Sequence, residues 1–278
     1  AGTMVGLPFF QKARSIRHCC QHVGRKEVSV ERKYDGEYCQ VHVSLQADGD
    51  STVTIFSKSG RNSTMDRQPV NRAIKKCLGL GTADCSLERQ CILAGELVVW
   101  NDYRGDIMPF YKIRRYVTRQ GRRLGCDEDS PPAAEEHLMI VWFDLLSIDD
   151  VLCIHEPYER RRQRLQELVR AIPGHAEIGV REKIDFRDAD APVRLARYFA
   201  EAISREWEGL VLKDCHGPFM TVNGNIQHYI KLKKDYIPGL GDCVDLVVVG
   251  GRQDPTAARA LGEGNWSWTT FYLACIDN

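Results

Sequence analysis

Apolar and polar positions alternate with a period of two over residues 38–45, where Val41, Val43 and Leu45 share one face, and short strand-like runs at 28–34 and 52–57 flank that segment. Three such runs in succession predict an antiparallel start. Further strands are predicted at 91–100, 138–148, 209–213, 227–233 and 244–249. Between them the period lengthens to that of a helix. Over 191–207, Leu195, Phe199, Ala202 and Ile203 form an apolar stripe, Pro192 suits the first turn and Asp190 is placed to cap it. A second helix is predicted over 156–171, with Leu165, Leu168 and Val169 inward and Arg160, Arg161 and Arg162 outward. Strands interleaved irregularly with helices give an α+β fold rather than a regular β-α-β repeat. Around 235–241 the chain turns to proline and glycine before a fresh strand, so a boundary is predicted there, dividing 1–238 from 239–278.

Composition narrows the class without naming an activity. With 278 residues, 43% apolar and 27% charged, the chain is a folded globular protein and not a disordered or collagenous one. Lys plus Arg (38) balances Asp plus Glu (38), so any nucleic-acid surface must come from local segregation of charge. Such segregation exists. Residues 112–123 carry six bases and no acid, and 127–136 five acids and no base. A contact for a phosphate backbone and a solvated helix end are both open readings of the basic run. The longest apolar stretch, 138–146, contains Asp144 and is far short of the roughly 20 residues that span a bilayer, so no membrane association is expected.

Eleven cysteines, an odd number without a C-x-x-C pair, are expected to be reduced thiols of an intracellular protein. His18, Cys19, Cys20 and His22 cluster on a helical spacing but lack a second ligand pair, so a helix surface is favoured over zinc. The N-x-S/T patterns at Asn62 and Asn265 are expected to be unused, since no signal peptide precedes them. The first residue is Ala1 and no targeting segment follows it, which suggests a piece of a longer chain.

The informative stretch is Glu31-Arg32-Lys33-Tyr34-Asp35-Gly36. In an extended strand Glu31, Lys33 and Asp35 point to one side, which sets an amine between two carboxylates, and Gly36 opens the turn that follows. At this composition the K-x-D-G string is expected by chance roughly 0.08 times, so alone it is only suggestive.

Five further blocks follow in order: Phe56-Ser57-Lys58-Ser59-Gly60-Arg61, Ala94-Gly95-Glu96-Leu97-Val98-Val99, Val141-Trp142-Phe143-Asp144-Leu145-Leu146, Glu208-Gly209-Leu210-Val211-Leu212-Lys213 and Tyr229-Ile230-Lys231-Leu232-Lys233-Lys234-Asp235-Tyr236. Together they resemble the ATP-dependent DNA ligases, within the covalent nucleotidyltransferases that also include RNA ligases and messenger-RNA capping enzymes. The later blocks are most similar to eukaryotic ligases, with a fungal end-joining type among the candidates. The resemblance implies a nucleotidyltransferase domain of antiparallel sheets flanked by helices, followed from about 239 by the start of an OB-fold barrel. It implies ATP and Mg²⁺ as cofactors, nicked or broken double-stranded DNA as partner, repair proteins as further partners, a monomer, and a nuclear location.

The same resemblance assigns roles. Lys33 would be adenylylated through a phosphoramidate bond, and Lys231 and Lys233 would reach the triphosphate and depress the Lys33 pKa. Glu96 and Glu208 would bind the metal or the ribose, hard oxygen ligands of the kind Mg²⁺ takes. Glu31 would accept from the adenine amino group, Phe143 would stack on the base, and Lys213 would belong to the nucleotide site. Asp35 would orient Lys33 or assist the metal. One departure is evident: Tyr38 stands where DNA ligases usually carry arginine, and Lys58 and Arg61 are candidates to replace that cation. Only 38 residues run from 241 to 278, enough for two or three barrel strands, so the family's later basic motif is expected to lie beyond Asn278 and the chain alone to react slowly and leave nicks unsealed. The alternatives are a capping guanylyltransferase or RNA ligase, and a non-catalytic DNA- or partner-binding module.

Overall fold

The computed structural model describes residues 2–46, 50–119, 121–123, 132–220, 228–241, 246–262, 264 and 267–275, which fall in two compact units, Ala1–Pro238 and Gly239–Asn278. The larger unit is built on two sheets. One has five strands in the order Phe10–Ala13, Tyr229–Leu232, Gly209–Asp214, Glu27–Lys33 and Arg181–Asp185. The other runs Val151–Leu152, Glu136–Ile148, Gln90–Asn101, Glu37–Leu45 and Ser51–Ser57, with the short strands Ala176–Ile178 and Asp106–Ile107 added beside its long members. Pairing is mostly antiparallel, as expected. Two pairs are parallel, Phe10–Ala13 with Tyr229–Leu232 and Ala176–Ile178 with Glu136–Ile148, so the all-antiparallel expectation needs that correction.

Each sheet buries one face under helices. Val28 and Val30 alternate toward a core completed by Leu195, Phe199 and Ala202 of the helix Ala191–Ser204 and by Cys19 and Val23 of the helix Ile16–Val23. On the larger sheet Val41 and Val43 face Ile74 of the helix Asn71–Cys77 and Leu165 and Leu168 of the helix Tyr158–Leu168. The strands therefore follow the expected period, but two helix details differ. Asp190 makes no side-chain capping bond. Arg161 and Arg162, expected outward, are buried, and only Arg160 is exposed.

The two sheets are joined at the turn after Lys33. The glycine there is required by space, because a Cβ on Gly36 would clash with the carbonyl oxygen of Leu97. Close passage of the turn over the larger sheet lets the chain leave one sheet at Lys33 and enter the other at Glu37.

In the smaller unit the strands Val247–Arg252 and Thr270–Ala274 form an antiparallel pair with a bulge between Val248 and Gly250. Asp254 caps the intervening helix Pro255–Ala260 by accepting from the Thr256 and Ala257 amides. Among the described residues this unit holds one two-stranded sheet and no closed barrel. The start of the predicted 244–249 strand, Gln227, residues 127–131 of the acidic run and Asn265 lie outside the described residues.

Candidate active site

Both sheets contribute to a cavity of about 260 Å³. From the five-stranded sheet come Glu31, Lys33, Lys213 and Lys231, with Glu208 just before its strand; from the larger sheet come Tyr38, Glu96 and Phe143; Asp35 and Gly36 come from the joining turn. Of the residues singled out from the motifs, all but Lys233 and Arg61 line the cavity. Lys233 meets the site through a carboxylate: Glu208 accepts from the Lys33 ammonium on one oxygen and from the Lys233 ammonium on the other.

The far end of the cavity is a closed polar knot. Glu31 is buried and accepts from Ser29 Oγ (2.9 Å) and the Tyr158 hydroxyl on Oε1, and from Lys213 Nζ (2.8 Å) on Oε2. Lys213 also donates to the Phe143 carbonyl at 3.2 Å and lies 4.9 Å from the centroid of the Phe143 ring. Two donors on Oε1 leave spare acceptor capacity on Oε2, which is what an exocyclic amine would use. The Phe143 ring sits half-buried beside Tyr38, their centroids 6.1 Å apart.

Beneath this knot lies a buried ion pair that the motifs did not reveal. Arg161 donates to Asp144 from Nε (2.7 Å) and Nη2 (3.1 Å), and to the Tyr229 hydroxyl at 2.8 Å. The Tyr229 ring is thereby held from its hydroxyl end. The one sequence signal was a lone Asp144 in an apolar strand, since a buried carboxylate is commonly paired with a cation.

Around Lys33 the charges are unevenly satisfied. Burial pushes the Glu96 carboxyl up to about 8, with Glu208 adding to the rise and Lys33, Lys58 and Lys231 opposing it. Glu96 has no hydrogen-bond or ion-pair partner among the described residues. Burial also raises the Asp35 carboxyl, again with Glu208 contributing. Lys231 is brought down to about 8 by burial and by the charges of Lys33 and Lys58, and its ammonium stands 3.9 Å from the centroid of the Phe10 ring. For Lys233 burial works against the charge, but Glu208 outweighs it and holds the ammonium above its ordinary value.

A pH dependence follows. The folded value of Glu96, about 8, lies above its ordinary 4.5, so its protonated form contributes stability that is complete below about pH 4.5 and lost as pH rises through 8. Without divalent cations, the thermal midpoint is expected to fall over that window, and Glu96→Gln to flatten the fall. Calorimetry across the range decides it, and equal slopes in the two proteins would remove Glu96 from the balance.

Tyr38 departs from the expected cation in position as well as in charge. Its hydroxyl accepts from Gln40 Nε2 at 3.3 Å, burial raises its pKa, and it pairs across the strands with Glu96. It belongs to the apolar wall shared with Phe143, Phe10 and Tyr229. Elsewhere, the basic run divides: Lys112 and Arg115 turn to the buried Glu136, a structural use, while Arg119 stays exposed. His18 and His22 touch through Nε2 atoms 2.9 Å apart, and no group of three or more metal-ligating side chains occurs among the described residues. The nine described cysteines are free thiols. No helix among the described residues is long and apolar enough to cross a membrane.

A lysine at a sheet junction, flanked by cations and carboxylates and facing an aromatic-walled cavity, is the arrangement the motif order implied. The profile of the ATP dependent DNA ligase domain matches residues 8–233. The chain belongs to the ATP-dependent DNA ligase domain family. It is 28% identical to DNA ligase 1 of Saccharomyces cerevisiae, over 89% of this chain and 29% of that protein. It is 32% identical to a DNA ligase of Pyrobaculum neutrophilum, over 89% of this chain and 37% of that one. The chain thus spans about a third of the length of these curated relatives. Its fold is shared with a mycobacterial DNA ligase D complexed with ATP and MES, at a TM-score of 0.54 and 19% identity over 90% of this chain and 64% of that one. It is also shared with the ligase domain from M. tuberculosis LigD, at 0.51 and 20% over 82% and 60%.

Proposed function

We propose that this chain carries the nucleotidyl-transfer chemistry of a DNA ligase, with Lys33 as the nucleophile. The observation that carries the reading is that Lys33, paired with Glu208 and near Glu96 and Lys231, shares one cavity with Phe143 and the Glu31 carboxylate. The Lys33 amine attacks the α-phosphorus of ATP. An N–P bond forms, the bond to pyrophosphate breaks and the amine gives up a proton. Adenylate then passes to the 5′-phosphate of a nicked or broken duplex, and the 3′-hydroxyl displaces AMP to join the strand. Lys231 serves as a cation for the phosphate tail, Lys213 and Glu31 hold the base end, and Asp35 orients Lys33 from the turn that follows it or assists the metal.

The donor set also fits Mg²⁺. Glu96 is an unpartnered carboxylate on the cavity wall and Glu208 a second carboxylate there, paired with Lys33 and Lys233, and Mg²⁺ is commonly held by one or two carboxylates together with substrate phosphates. When bound it would neutralise phosphate charge. We also infer that the Gly239–Asn278 unit opens an OB-fold barrel, that the protein works as a monomer with repair proteins, and that it is nuclear. The occurrence of yeast and fly ligases among the relatives supports the last of these.

Intact mass after incubation with nucleotide and Mg²⁺ tests the reading. A gain of one adenylate from ATP is expected, and none from GTP. Guanylate in its place would transfer the protein to the capping class, and no gain from either would leave a binding module.

A further inference from the structure

Lys33, Lys231 and Lys233, the cations at the reacting end of the cavity, are restrained in different ways. Lys33 and Lys233 both donate to Glu208. Lys231 is half-buried and has no hydrogen-bond or ion-pair partner among the described residues, while the charges of Lys33 and Lys58 oppose its own. What it meets is an aromatic ring. The ammonium stands over Phe10, and 3.9 Å to the centroid is the shortest cation-to-ring distance among the described residues.

Strand register places that ring. Phe10 lies opposite Tyr229 in the parallel pair of Phe10–Ala13 with Tyr229–Leu232, and at a period of two Tyr229 and Lys231 share a face, so the Phe10 ring stands on the side of the sheet that lines the cavity. The ring is itself backed. It packs at 5.4 Å on Tyr229, whose hydroxyl Arg161 holds, and belongs to an apolar cluster with Phe219. A carboxylate in this place would cancel the lysine's charge and occupy its N–H groups. The face of a ring attracts an ammonium without a conventional acceptor atom, so the donors stay available for phosphate. The lysine's loss of side-chain freedom is then incurred on folding and not when a ligand arrives.

We propose that Phe10 is a positioning residue for the phosphate tail of the nucleotide, its ring holding the Lys231 ammonium in the cavity with the hydrogen-bond donors free. The inference rests on the ligase reading above, in which Lys231 meets the triphosphate. The competing role for Phe10 is as a piece of the apolar wall, since it also shares a cluster with Phe143 and Tyr38. The two roles differ in what they require of the ring. Packing depends on its size and shape, whereas holding a cation depends on the negative charge of its face.

The test replaces Phe10 in the full chain by phenylalanines carrying one, two or three fluorines, which withdraw charge from the ring face while changing its size little, and by leucine (Phe10→Leu). Affinity for ATP and for adenosine is read by titration calorimetry without Mg²⁺. Each added fluorine is expected to weaken ATP, the loss reaching about two- to tenfold in Phe10→Leu, which corresponds to the freedom of one lysine side chain. Adenosine is expected to bind as it does to the wild type. In a Lys231→Met background the fluorine series is expected to be flat. A flat series with Lys231 present, a slope that survives Lys231→Met, or a parallel loss for adenosine each overturns the proposal and leaves Phe10 as wall alone. The contact is also read without ligand: the ring current of Phe10 is expected to shift the Lys231 ε-methylene protons upfield, and Phe10→Leu to abolish the shift. Unshifted protons in the wild type overturn the proposal. That measurement stands even if the wild type takes up no adenylate, the outcome that would sink the ligase reading instead.

Discussion

Lys33→Ala is expected to leave the chain with no covalently bound adenylate after any length of incubation with ATP and Mg²⁺. The side chain ends the strand Glu27–Lys33 and its ammonium is met by Glu208, so truncation removes a nucleophile without disturbing a strand whose pairs are backbone bonds. Loss of charge and loss of nucleophilicity are separated by Lys33→Arg. A guanidinium can still face Glu208, but it stays protonated with a pKa above about 12 and has no free lone pair for phosphorus. Both variants are therefore expected to show no labelling while their circular dichroism matches the wild type. Label recovered on Lys26 or Lys58 by peptide mass would overturn the assignment.

The largest stability effect is expected at Arg161, well away from the reacting atoms. Arg161→Leu leaves Asp144 as a buried carboxylate without its cation and strips the Tyr229 hydroxyl of its donor. Removing one partner of a buried pair costs about 3–5 kcal/mol, which in a unit of this size is on the order of 10 °C in melting temperature. Arg160→Leu, one residue earlier and exposed, is expected to change stability by no more than about 0.5 kcal/mol. Thermal melts of the two variants make the comparison. Equal midpoints would mean that the Arg161–Asp144 pair does not hold the helix Tyr158–Leu168 to the sheet.

The strands and the motif side chains were legible because each carries its own signal. Val28, Val30, Val41 and Val43 alternate, and Lys33, Glu96, Glu208 and Lys231 sit in strings that few other uses would assemble. What escaped was set by partners distant in sequence. Arg161 and Arg162 look like a solvated helix face until Asp144 and the Gly179 carbonyl are placed beneath them. Lys112 and Arg115 read as a basic patch with Arg119 until Glu136 draws them inward. The parallel strand Phe10–Ala13 has four residues and too short a pattern to declare itself, and its existence depends on Tyr229–Leu232 lying alongside. Tyr38 was seen as a missing cation, but its role in an apolar wall depends on Phe143, a hundred residues away along the chain.

The position of the strand that ends at Lys33 also sets an order of events during synthesis. Glu27–Lys33 pairs with Arg181–Asp185 on one side and Gly209–Asp214 on the other, and the outermost strand of that sheet, Phe10–Ala13, waits for Tyr229–Leu232. A nascent chain halted before residue 181 therefore exposes the lysine segment with neither neighbour to pair it, and every contact that shapes its cavity from this sheet is long in sequence. Such topology folds slowly and gives ribosome-bound intermediates an open strand on which to misassociate. The larger sheet's members from Glu37 to Ile148 can pair among themselves much earlier. Translation thus delivers the larger sheet first and the sheet that carries Lys33 last, so the emerging polypeptide cannot complete the cavity until nearly all of the Ala1–Pro238 unit has been made.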